Sequence, residues 1–290
     1  MDEIGAGAAM LKVSHFGKMG DLCYALPVLR ALHRLSGEKI CLLTSGSCYQ
    51  IAPLLWEQPY IGDVQLEDTK AHHTIPIDRG AIFEQWDWYQ NREGLNLSLQ
   101  PSFFLDTAPV SWTQCYMQAA GVTELTASDC LSLPSLVNHR RWMDGIDVEL
   151  NGIKQPKPQT IILAPETDTL DELLPSVWQG LIEDVRARGL DPIIVGTRRI
   201  APLTHCTDLR GLTSVPVLAR LIAESRGFIG AHSFPWHLAR LSETPAVCLQ
   251  TWREGLRRCL PVDTKYQWLQ PAQAAQALRF LLSPVTQVPA

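Results

Sequence analysis

Apolar residues fall into short unbroken runs separated by stretches in which they recur every three or four positions. The runs lie at residues 10–16, 39–44, 160–164, 191–195, 227–230 and 245–250. Runs of this length without alternation are the pattern of strands buried on both faces of a parallel sheet. Between them, Leu22, Leu26, Leu29 and Leu32 with Ala25, and again Val177, Trp178, Leu181, Ile182 and Val185, each line one stripe of a helix. Further helices are expected over 47–56, over 215–225, after Ser233 and over 272–282. Pro216 and Pro235 fall in first turns, where a missing N–H costs nothing, and Ser214 and Ser233 stand before them as N-cap candidates. Strand and helix alternating in this way imply βαβ units with parallel strands.

Residues 151–159 are polar, contain Pro156 and Pro158 and show no periodicity, the composition of a linker. A chain of 290 residues, at roughly 100–200 residues per domain, then reads as two α/β domains, 1–153 and 160–290. Between 68 and 115 the aromatic residues Trp86, Trp88, Phe103, Phe104 and Trp112 scatter without a clean period. Loops with short helices are expected there, with the aromatics packed beneath them.

Two loops carry candidate chemistry. Gly17, Lys18, Met19 and Gly20 form a tight turn after the first strand, and Asp21 opens the helix that follows. Asp21 reads either as the cap of that helix or as a carboxylate that glycine brings close to a substrate. The second loop, Ala231, His232 and Ser233, precedes Phe234-Pro235-Trp236-His237 at a helix start. Free N–H groups and the positive end of the helix dipole make such a turn a place for phosphate.

Together the two loops resemble glycosyltransferase family 9, the heptosyltransferase family of lipopolysaccharide assembly. Residues 16–32, with Gly20-Asp21, Pro27, Leu29 and Leu32, look like its Gly-Asp-x-x-x-x-x-Pro-x-Leu-x-x-Leu start. Residues 208–214 resemble its Asp-Leu-x-Gly-x-Thr-Ser segment, and 233–239 stand at its Ser/Thr-Gly-Pro/Leu-x-His-Leu-Ala string. The resemblance implies a GT-B fold: two Rossmann-like βαβ domains facing across a cleft, acceptor on the first and nucleotide sugar on the second. In that fold the last helix often packs back on the N-terminal domain. It implies an inverting, metal-independent transfer of a sugar, heptose or related, from a nucleotide diphosphate sugar to a hydroxyl of a glycan, glycolipid or protein. An ADP-sugar is the favoured donor, and surface polysaccharide or lipopolysaccharide assembly the favoured setting.

By the same resemblance Asp21 is the general base, with Gly17, Lys18 and Gly20 in the cleft loop. An ordinary Asp, of pKa about 3.9, is ionised at pH 7 and able to take a proton. Thr167, Arg198, His232, Ser233, Phe234 and His237 fall at donor-binding positions. His232 occupies the family's Asp position, and the pattern is departed from elsewhere as well. Glu172 stands where a lysine is usual, Phe234 replaces a glycine, and Thr197 with Arg198 and Arg199 occupies the place of an acid that would hold the ribose. Arg198 or Arg199 would offset the lost lysine by gripping phosphate through a guanidinium fork. Two other readings follow from these departures: a GT-B protein that binds without transferring, and a different GT-B enzyme such as a nucleotide-sugar epimerase.

Composition adds exclusions. A net charge of -5 gives no basic surface for nucleic acid. Eight cysteines show neither C-x-x-C pairs nor zinc spacing, as expected of reduced thiols in a cytoplasmic protein. The first residues are acidic where a signal peptide carries Lys or Arg, and no apolar run reaches the roughly 18 residues of a membrane span. No cofactor is expected beyond the sugar donor itself, and contact with the inner face of a membrane is left open.

Overall fold

The computed structural model describes residues 9–68, 93–97, 111–126, 129, 159–167, 172–197, 201–251 and 265–283. The chain divides into two compact units, Met1–Cys130 and Leu131–Ala290.

In the first unit β1 (Met10–His15), α1 (Met19–Ser36), β2 (Lys39–Ser45), α2 (Ala52–Trp56), β3 (Ile61–Glu67), β4 (Leu95–Asn96) and α3 (Trp112–Ala120) follow in order. The strands form a parallel sheet in the order β3-β2-β1-β4. Helix α1 buries Leu22, Ala25, Leu26 and Leu29 of the expected stripe, leaves Leu32 half-buried and adds Val28, and it ends at Gly37, whose left-handed φ of 74° returns its N–H to the His33 carbonyl. Helix α3 starts in a capping box: Ser111 Oγ accepts from the Gln114 N–H and Gln114 accepts from the Ser111 N–H. It lies against α1, where the Thr113 hydroxyl donates to the Tyr24 carbonyl at 3.3 Å. The helix expected over 47–56 is split into a 3₁₀ turn, Gly46–Ile51, and the five-residue α2. Pro53, lacking an N–H, sits in the first turn of α2 and cannot continue the preceding turn.

In the second unit the elements are β5 (Thr160–Ala164), α4 (Pro175–Ala187), β6 (Asp191–Ile194), β7 (Thr207–Asp208), α5 (Val215–Glu224), β8 (Gly227–Gly230), α6 (Phe234–Leu241), β9 (Ala246–Leu249), β10 (Tyr266–Leu269) and α7 (Ala274–Leu282). Six parallel strands run in the order β10-β9-β8-β5-β6-β7. The chain begins in the middle, builds outward through β6 and β7, then returns to the other side of β5 to build β8, β9 and β10. The reversal falls between β5 and β8, and in open α/β sheets a ligand crevice lies at the carboxyl ends of the strands flanking such a switch.

Trp178 of α4 is fully buried among Ile161, Leu163, Leu181, Ile182, Ile194 and Leu278. Ala277, Leu278 and Leu281 of α7 complete the same core, so the last described helix is built into the second unit. The linker residues 151–158 and the aromatics Trp86, Trp88, Phe103 and Phe104 lie outside the described residues. Truncating so large a buried side chain leaves a cavity that the parallel sheet cannot collapse around. Trp178→Ala is expected to destabilise the second unit by about 3–5 kcal/mol, measured by urea denaturation; a loss below about 1 kcal/mol would contradict this packing.

Candidate functional site

The loop after β1 is built around one glycine. A Cβ on Gly17 would stand 2.6 Å from His15 Cε1 and 2.7 Å from Asp21 Cβ, so only glycine lets the strand end and the helix start close this tightly. The Gly17 peptide is held on both sides. Its N–H donates to His15 Nδ1 at 3.3 Å, and its carbonyl accepts from Cys48 Sγ at 3.5 Å. Because Nδ1 accepts, neutral His15 carries its proton on Nε2, which donates to Tyr116 Oη at 3.0 Å. Burial pulls His15 down to about 4 and pushes the Cys48 thiol up to about 11, so both are neutral at pH 7.

Helix α1 begins at Met19, two residues before the expected start, and Gly20 therefore lies inside its first turn instead of in the loop. Asp21 is the third helical residue, and its Oδ2 accepts from the Lys18 N–H at 2.9 Å. The two readings of Asp21 are thus compatible: it caps the helix, and it remains a half-buried carboxylate. His15, Cys48 and Tyr116 escape a reading of the sequence. His15 sits inside an apolar run, and the other two are distant in the chain.

In the second unit the carboxyl ends of three strands are tied together. The Thr167 hydroxyl donates to the His232 carbonyl at 2.8 Å, joining the loops after β5 and β8. Glu166, also buried, accepts from both the N–H and the hydroxyl of Thr197, the latter at 2.6 Å, joining the loops after β5 and β6. Ser233 occupies the N-cap position of α6 with extended backbone, but its hydroxyl donates to the Ala231 carbonyl at 3.3 Å and does not cap the helix. Ser214 likewise makes no side-chain cap bond to α5.

His232 and His237 are buried edge to face, with ring centroids 5.0 Å apart and planes at 88°. Nε2 of His232 and the indole N–H of Trp236 are buried without a hydrogen-bond partner among the described residues. Leaving a buried polar atom unbonded costs on the order of 1–3 kcal/mol; the Trp236 indole packs against Phe228 and Tyr266, whereas His232 Nε2 belongs to the turn itself. Burial keeps both imidazoles neutral, His232 down to about 4 and His237 well below its usual value. Phe234 is half-buried on the first turn and Glu172 is exposed ahead of α4, while Arg198 lies outside the described residues. Among the described residues no group of three or more His, Cys, Asp or Glu is arranged to hold a metal ion.

The buried imidazoles fix the sign of the pH response. In the unfolded chain they titrate near 6.5, while in the folded protein His15 and His232 resist protonation until about pH 4. Their contribution is complete above pH 6.5 and is lost as the pH falls toward 4, because only the unfolded chain gains protons in that interval. The melting temperature is expected to drop steadily over this window, and His15→Gln to shrink the drop. A flat profile from pH 6.5 to 4 would contradict neutral burial.

No family model matches the sequence, and no curated protein matches it. Solved structures do. A glycosyl transferase family 9 protein from Veillonella parvula DSM 2008 superposes with a TM-score of 0.67 at 12% identity, covering 98% of this chain and 100% of that one. The E. coli ADP-heptose lps heptosyltransferase II gives 0.63 at 14% identity over 94% of this chain and 98% of that one. E. coli heptosyltransferase WaaC, solved with ADP, gives 0.56 at 12% identity over 90% and 93%. At such identities the likeness is one of fold: the chain has the Rossmann-like α/β architecture of the GT-B glycosyltransferases.

Proposed function

We propose that the protein is an inverting glycosyltransferase that moves a sugar from a nucleoside diphosphate to an acceptor hydroxyl, with Asp21 as general base and the turn at Ala231–His237 as the diphosphate site. The observation that carries this reading is the position of that turn. It leaves the sheet at the β5/β8 switch, opens a helix, and carries in the turn itself the buried, unpartnered Nε2 of His232.

In the proposed reaction the acceptor oxygen attacks the anomeric carbon from the face opposite the diphosphate. The new C–O bond forms as the bond to the phosphate oxygen breaks, and the hydroxyl proton passes to the Asp21 carboxylate. Oδ2 of Asp21 is already oriented by the Lys18 N–H, and the Gly17 loop beneath it is fixed by His15 and Cys48, so the base does not have to be ordered when substrate arrives. Charge on the departing diphosphate is met by the α6 dipole and by His232 and His237, each of which has one ring N–H to donate as a neutral imidazole. Metal-independent transfer is part of the proposal. E. coli heptosyltransferase WaaC has been solved with ADP and with ADP-2-deoxy-2-fluoro heptose, which supports an ADP-sugar, heptose or related, as donor here. Among the described residues no helix is long and apolar enough to cross a membrane.

A second reading, a protein that binds the nucleotide sugar without transfer, is favoured by Phe234, a bulky side chain on the first turn of the phosphate helix. One experiment separates the two. Release of nucleoside diphosphate from ADP-, GDP- and UDP-sugars is followed with truncated lipopolysaccharide as acceptor, for the wild type and Asp21→Asn, with and without EDTA. The proposal expects ADP-sugar turnover that EDTA leaves intact and that Asp21→Asn lowers by roughly 10²–10⁴-fold, with donor binding retained. Equal turnover in the variant would overturn the base assignment, and donor binding without turnover in the wild type would establish the second reading.

A further inference from the structure

The strand-end carboxylate that nucleotide folds use to accept the vicinal hydroxyls of ribose is absent from its usual place after β6, where Val195, Gly196 and Thr197 stand. A carboxylate nevertheless occupies that place in space. Glu166, in the loop after β5, takes both Thr197 donors of the loop after β6 on the same oxygen, Oε2. The fit is specific to this pair of loops. A Cβ on Gly196 would lie 2.7 Å from Glu166 Oε2 and 2.9 Å from its Cδ, and Gly196 has a φ of 142°, so no other residue would leave room for the carboxylate. Arg210, buried and paired with Asp208 at the end of β7, lies close enough to interact with the Glu166 charge. Glu166 is also adjacent to Thr167, which grips the His232 carbonyl of the diphosphate turn, so the carboxylate stands beside the phosphate position on the same side of the sheet.

We propose that Glu166 is the ribose-recognition residue of this protein, its carboxylate supplied from β5 in place of an acid after β6. The inference rests on the nucleotide-sugar reading above and adds to it a specificity determinant. Thr197 and Gly196 hold the carboxylate, and the ribose 2′- and 3′-hydroxyls donate to it. This accounts for why a glycine and a threonine, and no acid, follow β6.

The test uses calorimetric binding of ADP, GDP and UDP, of their 2′,3′-dideoxy counterparts, and of inorganic pyrophosphate, to the wild type and to Glu166→Gln. The amide oxygen of that variant still accepts from the Thr197 N–H, so the loop tie survives, while one acceptor becomes a donor. A matched melting temperature for the two proteins checks this. The wild type is expected to bind the best nucleotide roughly tenfold or more tighter than its dideoxy form. In Glu166→Gln that preference should shrink to within about threefold, with pyrophosphate binding unchanged. A wild type indifferent to the hydroxyls overturns the proposal whatever the variant does, and so does a variant that keeps the full preference. A wild type that binds pyrophosphate but no nucleotide overturns the donor reading itself, a result distinct from either of these.

Discussion

The hydrogen bond from Thr167 to the His232 carbonyl is the tie on which the second unit's site depends. Strands β5 and β8 pair in register from Ile161 opposite Gly227 to Ala164 opposite Gly230, and the ladder runs one step further through the Ala231 N–H to the Ala164 carbonyl. Beyond that point the chains must diverge, one toward Thr167 and one toward α6. The Thr167 hydroxyl holds them together for one more turn inside a buried environment, where losing such a bond leaves a carbonyl unsatisfied at a cost on the order of 1–3 kcal/mol. On the other flank the Val195 N–H to the Leu163 carbonyl and the Glu166 clamp on Thr197 do the same for β5 and β6. Three loops therefore leave the sheet as one rigid rim. Fixed dipoles on such a rim need no reorganisation when charge arrives, which is what a diphosphate site requires.

The first unit solves a similar problem with different groups. There the rim is the single peptide of Gly17, gripped through its N–H by an imidazole and through its carbonyl by a thiol. Both gripping groups are neutral because they are buried, so the half-buried carboxylate of Asp21 stands next to groups that bring it no formal charge. The Gly17 N–H fixes the tautomer of His15, whose Nε2–H then donates to the Tyr116 hydroxyl and ties the loop to α3.

Much of this was legible in the residue order. The buried runs at 160–164 and 227–230 became β5 and β8 because a strand covered on both faces needs no polar alternation, and the stripe from Leu22 to Leu29 became the inner face of α1. Strand β3 escaped because Gly62, Asp63, Gln65 and Glu67 break its apolar run, and only Ile61 and Val64 are buried. Helix α3 hid among scattered aromatics, although its Ser111 and Gln114 spacing is a capping-box signal. Strand β10 is a half-buried edge strand, too weakly patterned to stand out. The loop ties were beyond reach of any spacing rule. Glu166 and Thr197 are separated by a helix and a strand, as are Thr167 and His232 by a larger stretch, and only the parallel topology brings their backbones level.

The central claim is that the turn at Ala231–His237 is where a nucleoside diphosphate binds. The most direct measurement is a crystal structure of the protein grown at saturating ADP. Diphosphate density is expected within hydrogen-bonding distance of the α6 N-terminus and the His232 or His237 imidazole. Density for ADP elsewhere on the chain, with that turn unchanged and bare, would contradict it.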